Sequence, residues 1–337
     1  MPNARELRLG TRGSQLALWQ ANTVAARIAE AGGPACRIVV IRTSGDRLQE
    51  APLSEIGGKR LFVKEIEDAL LRGDIDLAVH SSKDMPAVLP AGLAIAGVLP
   101  REDPLDAVVL PSSPAPLTVD DLVAELGQTP TIGTSSVRRI AQLTRIFPGA
   151  RFVPIRGNLD TRLRKLDAGE YDAIVLAAAG LTRLGFASRI SARLPVDACV
   201  PAPGQGIVAI EIREGDEAVR QAVSSVDDAA AGAALEAERA VVTALGGGCQ
   251  TPIGALASWV RSASPASPER VTGDALELVA VVVSLDGSRA VRAHRRGARS
   301  DAAALGARVA ADLLAEGAGD ILAEAQRALG AVEGLHP

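Results

Sequence analysis

The sequence predicts an α/β fold: two related lobes with mainly parallel sheets, followed by a small α+β domain. Three observations carry that prediction. Strand-like runs alternate with helical ones from the start of the chain, the order that parallel βαβ units require. The pattern then recurs, with "GDIDLAV" (73–79) returning as "GEYDAIV" (169–175) and "LGTRGS" (9–14) returning more loosely as "IGTSSV" (132–137). The last part reads differently, as an Ala-rich helix and strands joined by a hairpin.

The elements follow in order. "ELRLGTRGSQLALWQANTVAARIAEAGG" is strand, tight turn and helix: Leu7 and Leu9 alternate with charges, and Ser14 is placed to cap. Ala17, Ala21, Val24, Ala25 and Ile28 make one apolar stripe, and Gly32-Gly33 ends the helix. "CRIVVIRTSGD" is a buried strand entering a turn, and "FVKEIEDALLRGDIDLAVHSSKDMP" is helix, strand and loop. "TIGTSSVRRIAQLTRIF" and "RFVPIRGNLDTRLRKLDAGEYDAIVLAAAG" repeat this logic in a second lobe. "VPAPGQGIVAIEIR" (200–213) reads as a crossing back to the first. "AAAGAALEAERAVVTAL" is a helix ending at Gly246–Gly248, then come strands with Asp286-Gly287 as hairpin turn, and two helices close the chain. The expected domains are 1–101 with 205–224, then 102–204, then 225–337.

Composition narrows the function. The chain has 337 residues, 47% hydrophobic, with a formal net charge of −4 and only 2% aromatics. A nucleic-acid binder would carry a basic field and stacking rings, so none is expected. No apolar run is long enough to cross a membrane, and no secretory leader is read at the start. The three cysteines (Cys36, Cys199, Cys249) and three histidines (His80, His294, His336) have no metal-ligand spacing, so no metal is expected. The expected location is the reducing cytoplasm.

Several arginines fall where strands end and helices begin. Arg12 precedes Ser14; Thr134, Ser135 and Ser136 precede Arg138 and Arg139; Arg156 and Arg162 flank the next junction. Helix N-termini and guanidinium forks both favour anions, and open α/β sheets bind ligands at the carboxyl ends of strands. Such arginines in two lobes point to a cleft for a polycarboxylate. Phosphate fits less well, since no phosphate-binding loop or dinucleotide fingerprint is present. "HSSKDMP" sets Lys83 and Asp84 together at a strand end, where a carboxylate could stabilise a developing cation; a loop-capping Asp beside a surface Lys gives the same string. His80 reads as a packed strand-end residue. Cys36 and Cys199 read as small buried hydrophobes. Cys249, on the Gly-rich "LGGGCQ" loop, reads as a thiol able to reach a cleft.

Taken in order, "LGTRGSQLALWQ", "HSSKDMP", "IGTSSVRR", "RGNLDTRL", "AAAGLTRLG", "PAPGQG" and "GGGCQTPIGA" resemble the porphobilinogen deaminase (hydroxymethylbilane synthase) family over nearly the whole chain. The resemblance implies two periplasmic-binding-protein-like lobes with a cleft between them and a third domain carrying a cofactor cysteine. It implies a monomeric transferase that condenses four porphobilinogen molecules into 1-hydroxymethylbilane with loss of ammonia. It implies a dipyrromethane cofactor in thioether linkage to Cys249, and Asp84 as the catalytic carboxylate. The cofactor's other partners would be Asp46, Ser82, Lys83, Thr134, Ser136, Arg138, Arg139, Arg156 and Gln205. Arg12, Ser14, Lys59, Arg162 and Arg183 would hold substrate. The segment "GGKRLF" departs from the family's "GGKGLF" by Arg60. A non-enzymatic binding module is the rival reading, because the same two-lobed fold serves solute binding.

Overall fold

The computed structural model describes residues 5–43, 63–112, 116–248, 251–260 and 275–333. The first sheet has the order β2-β1-β3-β10-β4. Its strands are β1 (Leu7–Thr11), β2 (Cys36–Val40), β3 (Leu77–Ser81), β4 (Leu93–Val98) and β10 (Val208–Arg213). The second sheet, β7-β6-β8-β5-β9, uses β5 (Asp106–Val109), β6 (Thr131–Gly133), β7 (Arg151–Val153), β8 (Ala173–Ala177) and β9 (Ala192–Leu194). The two orders correspond strand for strand. In each sheet four strands point one way, and one, β10 or β5, runs antiparallel to both neighbours. "Mainly parallel" therefore describes strand direction, and the exceptions are the two strands that follow a crossing between lobes.

That exception positions the site. An antiparallel strand begins where its parallel neighbours end. Val208 lies opposite Ser81 at the end of β3, and Asp106 lies opposite Ala177 at the end of β8. The residues that open β5 and β10 therefore reach the carboxyl edge, the usual ligand edge of an open α/β sheet.

Helix α1 (Gln15–Glu30) packs Ala21, Val24 and Ile28 on the first sheet. Ser14 caps it, accepting from Ala17 N at 3.3 Å. Helix α2 (Lys64–Arg72) covers the opposite face with Ile66 and Leu70. In the second lobe, α3 (Val119–Leu126), α4 (Val137–Leu143), α5 (Leu159–Asp167) and α6 (Ala178–Arg183) surround the sheet. Cys36 is half-buried, because β2 is an edge strand; Cys199 is fully buried, but among polar partners. His80 is packed as expected, with Nε2 3.0 Å from Glu211 Oε2.

After α7 (Glu217–Ser224), helix α8 (Ala229–Ala244) leads into an antiparallel sheet of β11 (Ile253–Trp259), β12 (Ala275–Val283) and β13 (Ala290–Ala298). Helices α9 (Ala302–Ala315) and α10 (Ala318–Glu333) follow. One sheet face packs under α8, α9 and the start of α10. The other packs Leu256, Val281 and Val283 on Ala141 and Val200 of the second lobe. Helix α8 also sets Leu235 against Met85, Val98 and Ile207 of the first.

One buried carboxylate ties these parts together. Glu238 of α8 is fully buried and accepts from Arg101 Nη1 (2.5 Å) and Nη2 (3.2 Å), Gly204 N (2.6 Å) and Ala257 N (2.7 Å). Arg101 and Gly204 belong to the two interlobe crossings, and Ala257 to β11. Glu238→Leu would strand a mostly buried guanidinium and two backbone donors. The expected loss of stability is about 3–5 kcal/mol, read as a lower urea midpoint; an unchanged midpoint would refute it.

Candidate active site

The first lobe supplies two strand ends. Beyond β1, Arg12 and the capping Ser14 enter a cavity of about 70 Å³ that also meets Gln20, His80, Ser81 and Asp84. Gln20 donates from Nε2 to Ser81 Oγ at 2.9 Å, fixing the end of β3. Beyond β3 the chain makes one 3₁₀ turn, Ser82–Asp84. Ser82 N is held by Ile207 O at 3.0 Å, while among the described residues its buried Oγ has no hydrogen-bond partner. Gly204 lies against this hydroxyl. It has φ +74°, and a Cβ there would sit 2.6 Å from Ser82 Oγ, so a side chain is excluded twice over. Asp84 is exposed, and among the described residues its carboxylate has no hydrogen-bond or ion-pair partner.

The second lobe supplies the facing cations. Arg162 donates from Nε to Gly157 O at 2.8 Å. Burial pushes its guanidinium down to about 10, helped by Arg139 and Arg12 and opposed by Asp84. It therefore lies within electrostatic reach of both first-lobe residues. Burial likewise pushes the half-buried Lys83 ammonium down to about 8, with Asp84 opposing and Arg139 adding.

Arg138 and Arg139 are nearly fully buried and turned onto one carboxylate. Asp106 accepts from Arg138 Nη1 (2.6 Å) and Nη2 (3.2 Å) and from Arg139 Nε (2.9 Å) and Nη2 (2.7 Å). Burial alone would raise the Asp106 carboxyl, but the two guanidiniums hold it far below the usual carboxylate range. Arg138 also donates to Val200 O at 2.8 Å and Arg139 to Val175 O at 2.8 Å. The helix they open, α4, has only seven residues, and its Ser136 cap already accepts from Arg139 N at 3.4 Å. That cap takes one of the N–H groups at the start of the helix.

The structure brings Arg12, Ser14, Ser82, Lys83, Asp84, Arg139, Arg162 and Gln205 near one another at the carboxyl edges of the two sheets. Arg183 lies apart, donating to Gly206 O at 2.7 Å with its guanidinium 5.5 Å from the Trp19 ring centroid. It links α1, α6 and the second crossing. Thr134 is buried, with Oγ1 accepting from Ser136 N at 3.3 Å, and Arg156 is half-buried just beyond β7. Asp46, Lys59 and Cys249 lie outside the described residues. Sequence reasoning missed Gln20 and Asp106. Gln20 falls six residues after the Ser14 cap, and Asp106 stands where the chain first crosses between lobes. Neither forms a motif, since each acts by tertiary contact.

Fold and site together define a two-lobed α/β protein that gathers cations from both lobes around one exposed carboxylate. Residues 7–221 match the family model "Porphobilinogen deaminase, dipyromethane cofactor binding domain", and residues 233–315 match "Porphobilinogen deaminase, C-terminal domain". The porphobilinogen deaminase of Geotalea daltonii is 44% identical over 321 residues, 95% of each chain. That of Bordetella parapertussis is 47% identical over 326 residues, 96% of this chain and 98% of its own. The chain belongs to the porphobilinogen deaminase family, transferases of tetrapyrrole biosynthesis. Among solved structures, the Bordetella pertussis BvgS periplasmic VFT2 domain is similar at 17% identity and TM-score 0.39, over 66% of this chain and 86% of that one. A Salmonella typhimurium periplasmic binding protein with arginine specificity is similar at 13% identity and TM-score 0.37, over 66% and 92%.

Proposed function

We propose that this chain joins four porphobilinogen units head to tail into 1-hydroxymethylbilane, with Asp84 as the catalytic carboxylate. The observation that carries the assignment is the Asp84 carboxylate, without a hydrogen-bond or ion-pair partner among the described residues, facing Arg12, Lys83 and Arg162 from two lobes. Each round breaks the C–N bond of the substrate's aminomethyl group and releases ammonia. The methylene carbon then bonds to a pyrrole α-carbon, which gives up its proton, and water supplies the hydroxyl of the product when the tetrapyrrole is released. Positive charge develops on the substrate's pyrrole as ammonia leaves, and a fixed carboxylate lowers that barrier. Porphobilinogen carries two carboxylates, and arginines keep their charge while gripping them.

A dipyrromethane fits these residues. The buried Ser82 Oγ lacks a partner among the described residues, and the surrounding donors are cationic or amide groups suited to carboxylates and pyrroles. Ser82, Lys83, Thr134, Ser136, Arg139, Arg156 and Gln205 would hold it, with Asp46 and a thioether from Cys249. Bound there, it supplies the pyrrole end to which the first unit is joined. Arg12, Ser14, Arg162 and Lys59 would hold incoming substrate, with Arg138 and Arg183 bracing the second crossing from their helices. The lobes are assigned to 1–101 with 205–224 and to 102–204, and the cofactor loop to 225–337. A cytoplasmic monomer without metal belongs to the same proposal. Purified protein supplied with porphobilinogen should release four ammonia per linear tetrapyrrole. Binding without ammonia release would indicate a binding module instead.

Lys83 gives the activity a pH dependence. Its ammonium persists below about 8 and is lost as pH rises through that value. A carboxylate bound beside it raises the value, so the alkaline fall in kcat/KM should lie at or above about pH 8. Lys83→Arg should remove that fall, since guanidinium stays charged. Identical profiles for the two proteins would rule Lys83 out as its source.

A further inference from the structure

Asp106 does more than neutralise two arginines. Its Oδ1 also accepts from Gln205 Nε2 at 3.1 Å, and the same amide nitrogen donates to Pro104 O at 2.6 Å. Both hydrogens of the amide are thereby committed to acceptors. Flipping the amide would turn its oxygen onto a carboxylate and a carbonyl and forfeit both bonds. The amide oxygen must therefore face the other way, where Lys83 Nζ donates to it at 3.4 Å. Asp106 and Gln205 are both fully buried, so no water competes for these groups. Among the described residues, the charged groups that act most on Lys83 are Asp84 in its own turn, Arg138 and Arg139 on α4 and Asp106 at the start of β5. The two guanidiniums repel the ammonium, and the Gln205 amide oxygen holds it in place as a neutral acceptor.

We propose that Asp106 is a positioning residue for the deaminase reaction: it fixes the orientation of the Gln205 amide, and that amide seats the Lys83 ammonium beside Asp84. This rests on the Proposed function for its consequence in turnover, but not for its first readout. The chain has only four lysines, Lys59, Lys64, Lys83 and Lys165. Reductive methylation with ¹³C-formaldehyde therefore gives a short set of resonances, and Lys83→Arg identifies that of Lys83.

Gln205→Met keeps the length of the side chain, removes the acceptor and leaves the Asp106–arginine cluster in place. Asp106→Asn removes the charge that anchors the amide. In either variant the Lys83 resonance should titrate at least about half a pH unit lower than in the wild type, because the ammonium loses an acceptor or an attracting charge. The alkaline fall in kcat/KM should move the same way. In the double variant the shift should fall short of the sum of the two, since both act along one path. An unmoved Lys83 titration in Gln205→Met overturns the proposal, as do fully additive shifts. Asp106→Asn leaves two buried guanidiniums without a counter-charge; should it fail to fold, Gln205→Met alone decides. A wild type that binds porphobilinogen without releasing ammonia would overturn the function while leaving the Lys83 titration to judge this inference separately.

Discussion

Asp84→Asn should lower ammonia release from porphobilinogen by about two to four orders of magnitude, the usual range for losing one well-placed charged or proton-transferring group. The amide is nearly isosteric, and the wild-type carboxylate has no hydrogen-bond or ion-pair partner among the described residues. Folding stability should therefore stay close to wild type, in contrast to Glu238→Leu. The charge change removes only what a developing cation would feel. Intact mass of the variant is the second measurement, because a dipyrromethane already attached should persist. Near-normal ammonia release would end the catalytic assignment of Asp84.

Cys249→Ser should abolish turnover outright. The proposed thioether needs a sulfur nucleophile, and a serine hydroxyl at neutral pH is a far weaker one. Wild-type protein should show a mass excess of one dipyrromethane that the variant lacks. The wild-type Cys249 should also resist alkylation, whereas a free thiol would react. Retained activity in Cys249→Ser, or an unmodified wild type that turns over, would remove the anchor. Helix α8 is pinned through Leu235 against Met85, the residue after Asp84. Gly247 then packs so tightly that a Cβ would meet Ile253 Cδ1 at 2.5 Å. A side chain there would have to displace the end of Ile253.

Much of this molecule was legible in one dimension because its signals are local. The Ser14 cap, the period of α1 and the Asp286-Gly287 hairpin each depend on neighbours a few residues away. The internal repeat announced two similar lobes, and "HSSKD" marked the end of a strand. Harder to read were residues whose meaning depends on distant partners. Asp106 sits among unremarkable neighbours, yet its partners are 32, 33 and 99 residues away. Arg138 and Arg139 illustrate the converse. Their spacing points to a ligand's carboxylate, but in the fold they meet an internal one.

The sequence by itself determined the element order, the repeat, the family and the kinds of residue at each strand end, because caps, periodicities and motifs are short-range. Only the tertiary structure decided which charges face which. Two strands run against their neighbours and carry Asp106 and Gln205 to the carboxyl edge of the sheets. A carboxylate buried there needs a counter-charge, and Asp106 takes two arginines inward. Asp84, exposed on its turn, is left open to a ligand.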